Sequence, residues 1–268
     1  MQPRILHRPG VATTASVLQK QALEFKRLCI EQPVLIVVER GSKTLRRAQG
    51  ECVIGAGEAV AIAGGQTVDI INQPAADGSY RAFWLAWDAA LIAAHAAAHP
   101  AQPVIRQALP LPARSAEFMA AFQRAVVAVE DADMPLDIAR HRAAEMLLWI
   151  GAHGGKFAPF EALTAALKVR RLIGRDLAQE WSAAAVAAEL AMSEATLRRR
   201  LAEEATSLSE ILVDARLSFA LNLLQCSAQP VTQIALQVGY QSPSHFAVRF
   251  RRRFGFAPSA IRRQALHA

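Results

Sequence analysis

The chain contains 268 residues, of which 53% are hydrophobic, and carries a formal net charge of +7. This length allows two ordinary domains with separate cores. The sequence has no apolar run of bilayer length and no apolar segment typical of a secretory signal, so we expect neither feature. Cys29, Cys52 and Cys226 show no CxxC spacing and predict reduced thiols in a cytoplasmic protein. The GxSxG, phosphate-loop and CxxC motifs of nucleophilic, nucleotide-dependent and redox enzymes do not occur.

The N-terminal third predicts short strands separated by glycine turns, a pattern typical of a small barrel or sandwich. The apolar run Pro33–Val38 predicts one strand, with Lys43–Arg47 returning beside it. Tyr80–Trp87 alternates apolar positions and predicts another. Glu58–Ala63 and Thr67–Ile71 are expected to form a hairpin around the glycine pair between them.

Aromatic and basic residues on these strands leave two interpretations open. Phe83, Trp84 and Trp87 could line a pocket for one small apolar effector, or they could be plain core. The basic cluster Lys43, Arg46 and Arg47 could attract an anionic ligand, or it could be the solvated face of an edge strand. The sequence alone does not identify ligand-binding residues.

Helical patterns follow the strands. Three segments, Asp88–His99, Ala113–Ala128 and Asp133–His153, have helical periodicity, and Ser115 is a plausible cap for the second. The last two segments predict an antiparallel hairpin. The second helix of this hairpin, within Asp133–His153, is expected to bury Leu136, Ala139, Ala143, Met146, Leu147 and Ile150. Lys156–Phe160 then predicts a linker, which divides the chain into domains 1–160 and 161–268.

Two groups on these helices have metal-ligand spacing. They are the pair His95 and His99, and the run Asp137, His141 and Glu145. Neither has a predicted set of further ligands, so solvated helix surface is favoured over a metal site.

The C-terminal part contains a helix-turn-helix pattern written twice, at Val186–Leu201 and Thr232–Phe250. In the first copy Ser193 is the expected cap of the second helix. In the second copy Gly239 permits a left-handed turn residue, and one additional turn residue, Gln241 or its neighbour, accounts for the longer spacing. A connecting helix from about Leu208 to Cys226 is predicted between the copies, with Ile211, Leu212, Ala215, Phe219 and Leu223 on its inner face.

Positive charge is concentrated in the same part of the chain. Residues 1–160 hold 16 Lys/Arg against 14 Asp/Glu, a balance of +2, whereas residues 161–268 hold 14 against 9, a balance of +5. No acidic residue follows Asp214, and seven arginines do. Such a surface favours a polyanionic partner over a simple solvated face.

The segment Ile234–Arg263 carries the most specific motif in the sequence. It contains Ile234-Ala235, Gly239-Tyr240, Ser244-His245-Phe246, Phe250 with Phe254-Gly255, and Pro258 before Arg262. With this pattern, roughly residues 165–263 resemble the DNA-binding domain of the AraC/XylS transcription regulators. Two positions depart from the family pattern. Ala191 stands where a glycine is usual in the first turn. Val248 stands where many relatives have an arginine, and Arg249 follows it.

The resemblance implies that two helices enter successive major grooves about 34 Å apart, over a site of about 17 to 20 bp. The residues expected to contact DNA are Ser193, Ala195, Thr196, Arg198 and Arg199 on the first helix, and Ser244, His245, Val248, Arg249, Arg251 and Arg252 on the second. Arg198 or Arg199 is expected to contact guanine. Arg251, Arg252 and Arg253 are expected to hold phosphates. Arg200 is the best candidate for an intramolecular partner of Glu203 or Glu204.

The segment Gly57–Ile70 resembles, more weakly, the core of the cupin-like N-terminal barrel found in relatives. The expected fold class is α+β: a cupin-like β-barrel with a helical hairpin, then an all-α domain of two helix-turn-helix units joined by a long helix. No histidine occurs in residues 33–87, which disfavours a metal-dependent cupin enzyme. No cofactor is expected.

The resemblance as a whole implies a non-enzymatic transcription regulator, more usually an activator. Its partners would be double-stranded DNA, RNA polymerase, a small effector in the N-terminal domain, and a second copy of the chain through the 133–153 helix. The alternative is a regulator without an effector, whose barrel serves only for dimerisation or protein contact.

Overall fold

A computed structural model describes residues 5–47, 50–112, 115–159 and 164–261, apart from the side chains of Arg27 and Arg47. The chain divides between residues 162 and 163 into two compact units. Within the described residues, no helix combines the length and the apolar character required to cross a bilayer.

The N-terminal unit is built from antiparallel strands in two sheets. The six-stranded sheet has the order β1-β2-β9-β4-β7-β10 and the four-stranded sheet has the order β3-β8-β5-β6. The strand bounds are β1 Leu6–Arg8, β2 Ala12–Gln19, β3 Leu23–Ile30, β4 Val34–Arg40, β5 Ser42–Arg47, β6 Gly50–Ile54, β7 Ala59–Ile62, β8 Gln66–Gln73, β9 Tyr80–Trp87 and β10 Ala108–Leu111.

The six-stranded sheet is covered on both faces. One face, which includes Leu85 and Trp87 of β9, belongs to a core shared with the helices of this unit. The other face includes Tyr80 and packs toward the four-stranded sheet, where Leu45 is fully buried. The central strand β4 is therefore a continuous apolar run, because both of its faces are buried.

Two predicted strand pairings are wrong. The hairpin of Glu58–Ala63 with Thr67–Ile71 does not form, because β7 pairs with β4 and β10 while β8 lies in the other sheet. The glycine pair is a crossing between the sheets: the amide of Gly65 donates to the carbonyl of Ile30 at 2.6 Å. Lys43–Arg47 likewise does not return beside β4, since β5 pairs with β6 and β8.

The three aromatic residues that could either line a pocket or form core do not share one face of the sheet. Side chains alternate along a strand, so Trp84 points to the face opposite Phe83 and Trp87. Phe83 and Trp87 pack in the helical core, where the Trp87 indole donates to the carbonyl of Ala143 at 2.7 Å. The basic cluster splits in the same way, since Lys43 is buried whereas Arg46 is exposed and paired with glutamates. β5 is moreover an inner strand and not an edge.

In the described part of the chain, three helices complete this unit: α1 (Ala89–Ala98), α2 (Ala116–Glu130) and α3 (Leu136–Ala152). Ser115 caps α2 as predicted. The contacts Phe118–Trp149 and Arg124–Glu145 show that α2 and α3 run antiparallel.

Two predictions for this region need correction. Leu136 is 42% exposed, because it is the first residue of α3 and lies beyond the core. The predicted linker begins inside the unit: Phe157 packs on Trp87, and the buried Lys156 amine donates to the carbonyls of Ala96, His99 and Pro100 at the end of α1. Phe160 lies outside the described residues.

The C-terminal unit is helical, and its described helices are α4 Ala165–Ile173, α5 Ala183–Glu189, α6 Glu194–Glu203, α7 Leu208–Cys226, α8 Val231–Gln237 and α9 Pro243–Phe254. The predicted connecting helix is confirmed as α7 with the predicted bounds. Phe219 is 38% exposed and does not belong to its inner face, which instead includes Leu217, Ala220, Leu221 and Leu224.

Candidate DNA-binding surface

The first helix-turn-helix consists of α5, a short turn and α6. Ala191 in the turn has φ +50°, so a residue with a Cβ occupies the left-handed conformation that glycine favours. The amide of Met192 donates back to the carbonyl of Ala187 at 3.0 Å and closes the turn. Ser193 then caps α6 by accepting a hydrogen bond from the amide of Thr196 at 3.1 Å, as predicted.

The second helix-turn-helix, α8 and α9, repeats this construction. Gly239 has φ +83°, and the amide of Tyr240 donates to the carbonyl of Ala235 at 2.9 Å. Gln241 is the additional turn residue, because Ser242 is the cap of α9. Ser244 therefore lies in the first turn of the helix.

The two recognition helices α6 and α9 are anchored differently. Leu197 and Leu201 are the buried residues of α6. The buried residues of α9 are Phe246, Phe250 and Phe254, whose rings form a continuous series with centroids 5.5 and 4.7 Å apart. The aromatic series gives α9 the larger apolar contact.

An ion cluster also fixes α9. Asp214 of α7 accepts hydrogen bonds from Arg170 of α4 at 2.7 Å and from Arg253 of α9 at 2.6 Å. Arg170 is 5% exposed and also donates to Ser218. The prediction that Arg253 holds a phosphate is contradicted by this geometry, because its guanidinium faces Asp214 and the Phe254 ring.

The corner of the second unit is fixed by a further contact that the sequence did not predict. The Arg216 guanidinium donates to the carbonyls of Leu177 and Gln179 at 2.9 and 3.1 Å. A Cβ added to Gly239 would lie 2.7 Å from the Leu177 oxygen and 2.8 Å from the guanidinium carbon. Glycine is therefore required at this corner by both conformation and space. Sequence reasoning missed Asp214 and Arg216, and the only signal for them was their charge on a largely apolar helix.

The residues predicted to contact DNA lie at the surface. Thr196 is half-buried, because its hydroxyl pairs with that of Ser193 at 2.9 Å. Val248 is 67% exposed, so its apolar side chain is available for contact with a binding partner. The others are exposed: Ser193, Ala195, Arg198 and Arg199 on the first unit, and Ser244, His245, Arg249, Arg251 and Arg252 on the second.

Acidic side chains partly neutralise α6. Arg198 pairs with Glu194 at 3.0 Å, and Arg199 approaches Glu203 at 4.0 Å. Arg200 was predicted to pair with Glu203 or Glu204. This prediction is wrong, because Arg200 forms no ion pair with a described acidic residue and Arg199 is the arginine that approaches Glu203. Glu204 is occupied elsewhere, because its carboxylate accepts the amides of Ala165 and Ala166 at the start of α4.

The exposed arginines of α9 are in a different electrostatic environment. Arg249 approaches the ring of His245 at 3.5 Å. Arg251 and Arg252 form no ion pair with any acidic residue in the described part of the chain, and they follow one another in the last turn. Arg262 of the motif lies outside the described residues. The second unit therefore presents net positive charge where the first presents paired charge.

Comparison with known proteins finds a matching domain family and similar transcriptional regulators for the C-terminal unit. A family described as "Helix-turn-helix domain" matches residues 186–264. The transcriptional regulator SirC of Salmonella typhimurium is 40% identical over 105 residues, which is 39% of this chain and 36% of SirC. The regulator GadX of Escherichia coli K12 is 36% identical over 92 residues, 34% of each chain. The chain thus matches little more than a third of the length of these relatives.

The fold extends the likeness to both domains. The crystal structure of unsaturated fatty acid bound ToxT from Vibrio cholerae matches with a TM-score of 0.71 and 16% identity, covering 98% of each chain. These matches confirm that the C-terminal domain resembles the helix-turn-helix domains of transcription regulators, as expected for the AraC/XylS type. The fold of the N-terminal domain resembles that of the corresponding part of ToxT, as expected for a cupin-like barrel.

Proposed function

We propose that this protein is a sequence-specific DNA-binding transcription regulator. The observation that carries the proposal is the pair of capped recognition helices in one unit, each with an exposed polar face. These faces hold Thr196, Arg198 and Arg199 on α6 and His245, Arg249 and Arg252 on α9. A helix presented in this way fits the major groove, where arginine distinguishes guanine by two hydrogen bonds.

The roles of the two helices differ in the proposal. Ser193, Ala195, Thr196, Arg198 and Arg199 contact bases or adjacent backbone from α6, where the glutamate pairs hold two guanidinium groups in defined positions. Ser244, His245 and Val248 enter the second groove from α9. Arg249 faces the same groove, whereas Arg251 and Arg252 contact phosphates and set affinity more than sequence preference.

The N-terminal domain is proposed to control this activity by binding a small effector and a second copy of the chain. The bound fatty acid of the similarly folded ToxT supports an effector site. The exposed apolar side chains of Ile138 and Leu148 on the outer side of α3 support self-association through this helix. RNA polymerase is the proposed partner on DNA, activation the proposed outcome, and the cytoplasm the proposed compartment. We propose no enzymatic activity.

A domain that serves only for dimerisation is the second candidate, because α3 combines an exposed apolar set with a fully packed inner face. A thermal-shift screen with metabolites separates the two. An effector that raises the melting temperature and changes DNA affinity supports control by a ligand.

The test of DNA binding begins with footprinting on the DNA upstream of the protein's own gene and its neighbours. Gel-shift titrations then compare the protected sequence with random DNA. Arg199→Ala is expected to weaken binding to the protected sequence by about 1 to 3 kcal/mol while changing random binding little. Arg252→Ala is expected to weaken both by the same factor.

Arg40→Ala is the matched control, since Arg40 is an exposed arginine of the N-terminal sheet that pairs with Asp77. It should leave both affinities unchanged. Equal losses for Arg199→Ala and Arg252→Ala on both DNAs would contradict the division of roles. The absence of any protected sequence would contradict the proposed function.

A further inference from the structure

Four polar residues are buried together between the two sheets of the N-terminal unit. Gln19 of β2 and Tyr80 of β9 are directly paired across strands, and Lys43 of β5 and Asn72 of β8 are paired in the opposite sheet. Their exposures are between 0 and 5%. The Asn72 amide nitrogen donates to the Gln19 oxygen at 3.0 Å and thereby joins the sheets.

This cluster has more hydrogen-bond donors than acceptors. The Lys43 amine donates to the Asn72 oxygen at 2.6 Å, which occupies the amide oxygens of both Asn72 and Gln19. The Gln19 amide nitrogen and the Tyr80 hydroxyl are buried without a hydrogen-bond partner among the described residues. The atoms left over are an amide N–H, a phenol O–H and N–H groups of an amine, so an acceptor is the chemical complement of the cluster.

The cluster also lacks a counter-ion. No described acidic residue forms an ion pair with Lys43, whose amine lies 5.5 Å from the centre of the Tyr80 ring. Burial lowers the pKa of Lys43 to about 7. A buried ammonium without an anion is unfavourable, and an anion placed beside it would restore the charge balance.

From this geometry we infer that the cluster is a binding site for a small monocarboxylate, held by the Lys43 amine, the Tyr80 hydroxyl and the Gln19 amide nitrogen. The inference rests on the proposed function, in which the N-terminal domain binds the effector, and it supplies the chemical class. One ammonium balances one negative charge, so a monoanion fits better than a phosphate dianion.

The position of the cluster provides a route for such a ligand. Gln19 ends β2, Tyr80 begins β9 and Lys43 is the second residue of β5, so the four residues lie at one end of the sheets. The exposed turn at residues 20–22 and the loop at residues 74–79 border that end. Local opening of these short connections would admit a small molecule without disturbing the sheets.

The experiment is isothermal titration of the full chain with acetate and with benzoate. Saturable binding is expected for the wild type. Lys43→Met should weaken binding at least tenfold, and Tyr80→Phe and Gln19→Leu should each weaken it severalfold. Arg46→Met is the matched control, because Arg46 is on the same strand but exposed, and it should bind as the wild type does.

Proton uptake distinguishes a role of the amine from a structural effect. Tyr80 is the titratable side chain placed against the amine, and burial raises its pKa, so it stays neutral. With a Lys43 pKa near 7, the free amine is mostly neutral at pH 8, and a bound carboxylate favours the ammonium. Titrations in two buffers of different ionisation enthalpy should show uptake of close to one proton at pH 8 and almost none at pH 6.

Three results would overturn the inference. They are no binding of either carboxylate by the wild type, equal affinity in Lys43→Met and the wild type, and tighter binding of inorganic phosphate than of acetate. If Lys43→Met does not fold, Tyr80→Phe and the wild-type proton uptake still decide. Gel shifts with the protected DNA are run in parallel, so that loss of this site leaves DNA binding intact, whereas failure of the proposed function removes DNA binding itself.

Discussion

The two helix-turn-helix units of the C-terminal domain share one backbone construction but differ in how they are stabilised and charged. Each turn contains a left-handed residue followed by an amide that donates five residues back, and each recognition helix begins after a serine cap. The left-handed residue is Ala191 in the first unit and Gly239 in the second. The first unit tolerates a conformational cost that the second avoids.

The recognition helices α6 and α9 also differ in their buried contacts and in the pairing of their arginines. α6 is held by two leucines, and two of its three arginines are paired with glutamates. α9 is held by three phenylalanines and an ion cluster, and its exposed arginines have no acidic partner among the described residues. This difference is the basis for the proposal that α9 contributes mainly to affinity and α6 to discrimination between sequences.

The largest effect on this comparison is expected from Asp214→Ala. This change leaves the buried Arg170 and the nearby Arg253 without their carboxylate, so the C-terminal unit should lose about 3 kcal/mol of unfolding free energy. Trp181 is the one tryptophan of residues 163–267. Urea titration followed by fluorine NMR of fluorotryptophan-labelled protein therefore reports on this unit.

Glu203→Ala is the control for Asp214→Ala, since it removes an exposed carboxylate from α6 and should change stability little. Equal destabilisation by the two variants would show that both recognition helices depend on ion pairs to the same degree.

Exchanging glycine and alanine at the left-handed residues of the two turns should change the unfolding free energy in opposite directions, by intermediate amounts. Gly239→Ala places a Cβ against the Leu177 carbonyl and Arg216 and should cost about 2 kcal/mol or more. Ala191→Gly relieves the left-handed strain and should stabilise the unit by about 0.5 kcal/mol after the entropy of glycine is counted. The same urea titration measures both changes.

Gly255→Ala separates strain from collision. Gly255 has φ +87°, but a Cβ there would meet no atom of the described residues within 4 Å. Its cost should be about 1 kcal/mol from the backbone conformation alone. A cost for Gly239→Ala no greater than that of Gly255→Ala would mean that the second corner is not sterically closed.

The smallest effect concerns the paired charges of α6. Glu194→Gln with Glu203→Gln frees Arg198 and Arg199, so DNA affinity should rise severalfold and the slope of log affinity against log salt should steepen by about 1. Gel shifts at several salt concentrations measure this. Glu180→Gln, an exposed change away from both recognition helices, should leave the slope unchanged. An unaltered slope in the double variant would show that these arginines do not approach phosphates.

Local signals allowed much of the C-terminal domain to be predicted. The bounds of α7, the cap Ser193, the left-handed Gly239 and the inserted Gln241 all follow from interactions within a few residues of each other. The same holds for the exposure of the predicted DNA-facing residues, because helical periodicity assigns faces.

Interactions between distant residues were not predictable in this way. The predicted pairing of β7 with β8 was wrong because a glycine pair has the same local sequence in a hairpin as in a crossing between sheets. The predicted pairing of β5 with β4 was wrong because β5 lies between β8 and β6 in the other sheet. Arg253 was expected to hold a phosphate and Lys156 to lie in a linker, but carboxylate and carbonyl groups 39 to 60 residues away along the chain hold them. The buried position of Lys43 likewise required the strand order of the second sheet.

The amino-acid sequence by itself determined the two helix-turn-helix units, their caps and turns, and the polar faces that they present. Each of these depends on hydrogen bonds and apolar contacts between residues close together along the chain. Only the tertiary structure decided which charges are paired with one another, which strand lies beside which, and which polar groups are buried between the sheets. Those outcomes depend on the packing of distant segments, where burial turns the same lysine or arginine from a solvated group into a fixed partner.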